Sequence, residues 1–119
     1  MMPSADGPRF SQLSAPRQAL VRLFQSTNYG CLQDLIIRDK EPILNSPHAM
    51  VLADVRLDVE ERSRHELSLP DFVLCAEFDR LLSILDEITN GEISKIEIRG
   101  GVPRRITIRK SPAEVLGGR

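Results

Sequence analysis

The clearest folding signals lie in residues 78–110, FDRLLSILDEITNGEISKIEIRGGVPRRITIRK. Apolar residues recur at helical spacing up to Thr89, and this stripe predicts a helix from Pro70, with residues 71–74 open between helix and extended chain. Asn90-Gly91 follows as the helix stop. ISKIEIR and VPRRITIRK then flank Gly100-Gly101, whose two glycines tolerate the positive φ of a two-residue hairpin loop. The stretch therefore predicts a helix followed by a β-hairpin.

The same order of signals occurs earlier in the chain. A helix is predicted from Ser14, a suitable N-cap, to a stop at Asn28-Tyr29-Gly30, and a hairpin with its turn at Asp39-Lys40 follows. Aligning Gly30 with Gly91, an offset of 61 residues, superposes the two stretches without a gap. Five positions are then identical: Leu20 and Leu81, Gly30 and Gly91, Ile37 and Ile98, Arg38 and Arg99, Pro42 and Pro103. We interpret the chain as a tandem duplication of one αββ unit.

Between the two units, MVLADVRLDV (residues 50–59) alternates and predicts a strand with one apolar face, formed by Val51, Ala53, Val55, Leu57 and Val59. EERSRHELS, residues 60–68, predicts an exposed loop that serves as a plain connector or a partner contact.

The expected fold class is α+β, with two layers: an antiparallel sheet of about five strands and two helices on one face. Three parts are expected along the chain: a flexible N-terminal arm, residues 1–14; one domain, residues 15–110; and a flexible tail, residues 111–119. The domain divides into αββ units at 15–45 and 70–110, joined by a strand and an acidic linker at 46–69.

The helix, the (N)xG stop and the Gly-containing turn of the second unit resemble the small bacterial YezD-like proteins. The first unit resembles them less, because Asp39-Lys40 replaces the Gly-containing turn. The segments NYG and KEPI are similar to the NFG-type and GEPV-type segments of short bacterial proteins that contain a tandem version of the unit. The resemblance implies an organisation of helix plus hairpin, and it implies no activity and no site residues.

Composition narrows the class of protein. The 119 residues are 41% hydrophobic, 28% charged and only 4% aromatic. No window approaches the roughly 18 apolar residues of a membrane span, and the first ten residues lack the pattern of a secretory signal. We therefore expect a cytoplasmic protein without membrane contact. Cys31, Cys75, His48 and His65 lack zinc-ligand spacing, so neither a metal nor a cofactor is expected.

The near-neutral net charge conceals a split. Residues 54–87 contain ten acids and four bases, whereas residues 93–119 contain seven bases and two acids. The strand period places four cations on one face of the second hairpin: Lys95, Arg99, Arg105 and Arg109. This face is interpreted as an ordinary solvated surface, as a nucleic-acid or other anion site, or as the contact for an anionic protein, including another copy.

Two outward apolar residues suggest a second surface. Ile36 corresponds to Glu97 in the alignment and is expected to face away from the core, with Leu52 on the same face of the middle strand. They predict a self-association surface, or they are single exposed aliphatics of the kind common in soluble proteins.

Catalytic patterns are lacking in the sequence. It has no Gly-rich phosphate loop, no H-E-x-x-H and no G-x-S-x-G, and its carboxylate pairs are adjacent and diverge. We expect a non-catalytic interaction or assembly module that contacts a protein partner or itself. The alternative is a nucleic-acid-binding accessory or regulatory protein that uses the basic hairpin.

Overall fold

The computed structural model describes residues 8–60 and 65–117, and in these ranges the fold is α+β, with three α-helices and a five-stranded antiparallel sheet. Short 3-10 helices lie at Phe10–Gln12 and His65–Ser68. The other elements, in chain order, are α1 (Ala15–Thr27), β1 (Tyr29–Arg38), β2 (Glu41–Ile43), β3 (Met50–Ala53), α2 (Ala76–Ile88), β4 (Gly91–Arg99), β5 (Val102–Thr107) and α3 (Pro112–Gly117).

β1 and β4 form the centre of the sheet. They pair antiparallel from Gly30 opposite Ile98 to Ile37 opposite Gly91, and the strand order is β2-β1-β4-β5. β3 also pairs with β1, beside β2 on the same edge. β2 pairs with the C-terminal part of β1, and β3 pairs with its N-terminal part. Two short strands therefore share the outer side of β1.

The helices end at the expected places, but the glycines are not their caps. Gly30 and Gly91 were expected to stop the helices, but both lie in strands, and Gly91 has no positive φ. Asn28 and Thr89 are the C-caps, with φ of 67° and 61° and ψ of −62° in both. The Asn28 carbonyl accepts a hydrogen bond from the Gly101 N–H at 2.9 Å, and the Thr89 carbonyl accepts one from the Lys40 N–H at 2.8 Å. Each helix therefore ends where the hairpin turn of the other half satisfies its last carbonyl.

The two hairpin turns have the same geometry despite their different residues. Gly100 and Gly101 have φ of 60° and 76°, and Asp39 and Lys40 have φ of 53° and 69°. Positive φ at both central positions is the property of a type I′ turn, which matches the twist of the flanking strands. The Asp39-Lys40 pair thus adopts a conformation that ordinarily favours glycine.

Gly30 is required for a different reason. Its φ is 151°, and a Cβ atom added there would collide with the backbone carbonyl oxygen of Leu52. β3 therefore approaches β1 so closely that a residue with a side chain does not fit at this position.

The core is one apolar cluster that contains residues of both helices and both central strands. The residues that enter the core cluster have the same irregular spacing on each strand, three residues and then two: Leu32, Leu35 and Ile37 on β1, and Ile93, Ile96 and Ile98 on β4. Asp34, with φ of 56°, lies in the wider interval of β1 and interrupts the regular alternation. The helices contribute Leu20, Val21 and Phe24 from α1, and Leu81, Leu82 and Leu85 from α2.

The segment before α1 differs from the expected flexible arm. Phe10 is buried, its ring stacks on that of Phe72 at 4.9 Å, and the Arg22 guanidinium lies 4.2 Å from the Phe10 centroid. The Phe10 N–H donates to the Phe72 carbonyl at 2.8 Å. An aromatic side chain therefore fixes this segment to the core. The expectations for residues 1–7, 61–64 and 118–119 lie outside the described residues.

Two further boundaries are refined. α2 begins at Ala76 rather than Pro70, and residues 71–75 are not helical. Within the expected tail, α3 is exposed throughout its six residues.

Candidate interaction surface

β3 and the residues after it form an exposed stretch with several exposed apolar side chains, and we call Met50–Val59 the β3 edge. β3 pairs with β1 on one side, and among the described residues no strand pairs with its other side. The Asp54 N–H donates to the Tyr29 carbonyl at 2.8 Å. Because backbone bonds in an antiparallel pair alternate, the N–H and C=O groups of Val51 and Ala53 point away from β1.

The strand is shorter than predicted. It ends at Ala53, so the predicted strand is wrong for residues 54–59, and all residues from Met50 to Glu60 are exposed. Val55, Leu57 and Val59 are 64%, 95% and 48% exposed. Nothing in the described part of the chain covers these side chains. The alternation is typical of a strand, but residues 8–60 and 65–117 supply no layer that buries its apolar face.

Beyond β3 the chain bends at residues 57–59 and contains one ion pair. The Arg56 guanidinium lies 2.6 Å from the Asp58 carboxylate, and both side chains are mostly exposed. This hydrogen bond is the main reason that the pKa of Asp58 is lower than its ordinary value.

An apolar groove of about 310 Å³ lies between α1 and β3. Leu23 on α1, Leu44 after β2 and Val51 on β3 form its apolar walls. Val51 points to this side because its cross-strand partner is the buried Leu32. The groove therefore adjoins the β3 edge on the side of the sheet that carries the core.

The predicted basic face is only partly assembled. Lys95 and Arg99 are exposed on β4, and Arg105 is exposed on β5. Glu97 lies among them: it is the cross-strand partner of Arg105 and lies 3.8 Å from the Arg99 Nε. An acid therefore lies among the three cations: Glu97 forms an ion pair with Arg99 and lies opposite Arg105.

Arg109 does not belong to this face. β5 ends at Thr107, and Arg109 lies beyond it, beside an open cavity lined also by Glu92 and Glu114. Its expected place on the ribbon is wrong, because the chain leaves the ladder before the alternation reaches it. A register shift opposite Glu97 and Ile98 also breaks the regular period of β5.

Tyr29, a residue that the sequence did not single out, lies beside the cations. It is 47% exposed and directly opposite Arg99 in the β1–β4 ladder. A shallow cavity of about 320 Å³ on this side of the sheet is lined by Tyr29, Cys31, Leu52, Asp54, Lys95 and Arg99, among others. The position of Tyr29 before a strand glycine gave no signal of this neighbourhood.

Ile36 and Leu52 are not brought together. Ile36 is half-buried opposite Ile43, whereas Leu52 is 46% exposed opposite Cys31, five residues away along β1. Leu52 belongs to the β3 edge and Ile36 does not.

Comparison with protein-family models, curated proteins and solved structures found no match for the chain. Within the described ranges, no helix is long and apolar enough to cross a membrane. Likewise, no three His, Cys, Asp or Glu side chains of the described residues are grouped so that they could hold a metal ion.

Proposed function

We propose that this protein is a non-catalytic interaction and assembly module whose contact surface is the β3 edge. The observation that carries the proposal is an open strand edge whose backbone donors and acceptors lie between exposed apolar side chains. Such an edge is a template for pairing with another strand, and natural proteins usually protect it.

The strand at the opposite edge of the sheet, β5, supports this choice by contrast. β5 carries Pro103, which lacks an N–H, and the exposed charges of Arg104 and Arg105. It also has the register shift described above. These features protect an edge from pairing. The four residues of β3, MVLA, contain no proline and no charge.

The proposal includes the organisation of the chain as two αββ repeats with both helices on one face of the sheet. Several equivalent features lie 61 residues apart: the bounds of α1 and α2, the two C-caps and the two type I′ turns. The hydrogen bonds from the turns to the C-caps are reciprocal, as a two-fold relation requires. We retain the resemblance to a tandem YezD-like unit on this basis, and we place the module in the cytoplasm.

The test of the proposed function is comparative affinity capture from the native cell with nuclease present. Wild-type protein and a Val51→Lys, Leu57→Lys variant serve as baits, and circular dichroism verifies that both are folded. Because both residues are exposed, the variant is expected to fold and to lose proteins that wild type retains. Identical captured sets from the two baits would argue against the β3 edge as the contact surface.

A second candidate function is nucleic-acid binding by the basic hairpin. The observation in its favour is Tyr29, an exposed aromatic ring next to Arg99 and in one cavity with Lys95. Stacking and phosphate contact need this combination. Glu97 opposes it. Fluorescence anisotropy with labelled DNA and RNA at low and moderate salt tests the candidate: micromolar binding with a steep salt dependence, lost in Arg99→Ser with Arg105→Ser, is required.

A further inference from the structure

We propose that the β3 edge pairs with the β3 edge of a second copy of this chain, in antiparallel orientation about a two-fold axis at Val55. The inference rests on the proposed function, because it names the partner of the same surface. The two sheets would join into one continuous sheet across the axis, a self-complementary arrangement typical of symmetric dimers.

The backbone has the required orientation. The hydrogen bond from Asp54 to Tyr29 directs the even-numbered residues of β3 toward β1 and leaves Val51 and Ala53 facing outward. A strand that continues through Val55 presents the outward groups of residues 51, 53 and 55. In a pair centred on Val55, odd residues of one copy face odd residues of the other, so each outward donor meets an acceptor.

The charges select this register. With Val55 opposite Val55, Arg56 of each copy lies opposite Asp54 of the other, which gives two cross-strand ion pairs. Moving one copy by two residues in either direction places Arg56 opposite Arg56 or Asp54 opposite Asp54. Like charges directly opposite each other destabilise a pair of strands. The sequence DVRLD is thus complementary to itself in one central register.

The apolar residues meet on the opposite face of the joined strands. Val51 lies opposite Val59 of the second copy, and Ala53 lies opposite Leu57. Val51 is also a wall of the groove between α1 and β3, so Val59 of the second copy would lie at the groove. Pairing therefore covers the exposed apolar side chains of Val55, Leu57 and Val59.

Pairing requires one local change. Residues 57–59 bend in the single chain, where Arg56 contacts Asp58 at 2.6 Å. In the paired form the segment straightens, and Arg56 exchanges this contact for Asp54 of the second copy. The contact that is lost is an exposed ion pair, a type that contributes little to stability, so the exchange is inexpensive.

The primary test is sedimentation equilibrium at protein concentrations from below to above the micromolar range. Wild type is expected to show a monomer–dimer equilibrium. Val51→Lys with Leu57→Lys is expected to weaken dimerisation by at least roughly tenfold, because it places charges on the apolar face of the pair. Leu116→Lys is the control, since Leu116 is a largely exposed leucine like Leu57 but lies on α3. It should dimerise like wild type.

Charge reversal provides a second test with exposed residues only. Asp54→Arg opposes two arginines at each end and should weaken the dimer, whereas Asp54→Arg with Arg56→Asp restores opposite charges and should recover most of the affinity. Loss of affinity in the double variant, greater than in the single one, would overturn the assigned register.

Cross-linking tests the axis itself. In a background with Cys31→Ser and Cys75→Ser, Val55→Cys should form a dimer rapidly with a short bismaleimide, because the two thiols face each other. Val59→Cys should not, since its two copies lie about 27 Å apart at the spacing of an antiparallel strand. Equal cross-linking of both variants would contradict the two-fold axis at Val55.

A wild type that stays monomeric at every concentration overturns self-pairing. The proposed function is tested separately, because the capture experiment detects partners other than this chain. Partners captured by wild type and lost in the Val51→Lys, Leu57→Lys variant would then show that the β3 edge binds a different protein.

Discussion

The first half of the domain, residues 15–43, and the second half, residues 76–107, have the same backbone plan but different residues at the positions that need special geometry. α1 and α2 each have 13 residues and begin 61 residues apart, and both hairpins turn through two residues of positive φ. The second half has Gly100-Gly101 in its turn, whereas the first has Asp39-Lys40. Asp39 and Lys40 therefore adopt positive φ at a steric cost that Gly100 and Gly101 avoid in the equivalent turn.

The outer strands also differ between the halves. β2 pairs with Ile36–Arg38 of β1 and β3 pairs with Gly30–Gln33, whereas β5 pairs only with Lys95–Arg99 of β4. This is where Gly30 and Gly91 cease to be equivalent. β3 lies against Gly30, whereas a side chain at Gly91 would meet only the Ile88 Cγ2 at 2.9 Å. The contact with β3, which has no counterpart strand beside β4 in the described residues, thus creates the strict requirement for glycine at position 30.

The largest difference between the halves is expected at these two glycines. Gly30→Ala should lower the free energy of unfolding by about 2–3 kcal/mol, because it forces a strained φ and moves β3. Gly91→Ala should cost about 1 kcal/mol or less, since the Ile88 side chain can shift. Chemical denaturation measures both values, and hydrogen exchange at the Asp54 amide reports whether β3 detaches. Equal losses for the two variants would break the distinction.

A smaller effect is expected at the turns. Lys40→Gly should stabilise the protein by about 1 kcal/mol, because glycine adopts φ of 69° without steric cost. Gly101→Ala should destabilise it by a similar amount in the other half. Lys40→Ala is the control that removes the long side chain but keeps the Cβ atom, and it should gain little. A loss of stability in Lys40→Gly, measured by thermal unfolding, would contradict the equivalence of the two turns.

The sequence was sufficient for the elements and turns of both halves, because helical and strand periods, together with Ser14 and Gly100-Gly101, are local signals. It located the helix ends but assigned the caps to Gly30 and Gly91, whereas Asn28 and Thr89 adopt the special conformations. Their geometry depends on hydrogen bonds from the opposite half. No local pattern contains that information.

The same limit applies to burial. Phe10 is one aromatic residue in a polar stretch without a period, so the stretch gave no sign that it packs on Phe72. The alternation of residues 50–59 indicates an apolar face but does not show whether the same chain covers it. Arg109 was placed on the hairpin face by extending the period past the real end of β5. Each difference arises from tertiary contacts that periodicity cannot include.

The helix N-caps provide a further comparison of the halves. The Ser14 hydroxyl accepts a hydrogen bond from the Arg17 N–H, whereas Cys75, the equivalent residue before α2, makes no side-chain cap bond. Cys75→Ser should therefore stabilise the protein by about 0.5 kcal/mol, and Ser14→Ala should destabilise it by about 1 kcal/mol. Cys75→Ala removes the thiol without adding a cap and serves as the control. An equal effect of Cys75→Ser and Cys75→Ala in guanidinium denaturation would contradict a missing side-chain cap at residue 75.

The smallest expected effect concerns the segments that precede the two helices and pair with each other. The Arg9 Nε donates to the Asp71 carboxylate at 2.7 Å, and the Ser11 N–H donates to the same group. The first of these, followed by the second, lowers the pKa of Asp71 to about 2. The unfolded chain has the ordinary value near 3.9, so this carboxylate stabilises the fold above that pH, and its contribution is lost as the pH falls toward 2.

NMR titration of the Asp71 carboxyl group should therefore give a midpoint near 2 in the wild type and a higher midpoint in Arg9→Gln. The difference in unfolding temperature between wild type and Asp71→Asn should be greatest above pH 4 and should shrink as Asp71 becomes protonated. A midpoint near 3.9 in the wild type would mean that Arg9 does not hold Asp71 in solution. In that case the pairing of the two segments would depend on Phe10 and Phe72 alone, with their backbone hydrogen bonds.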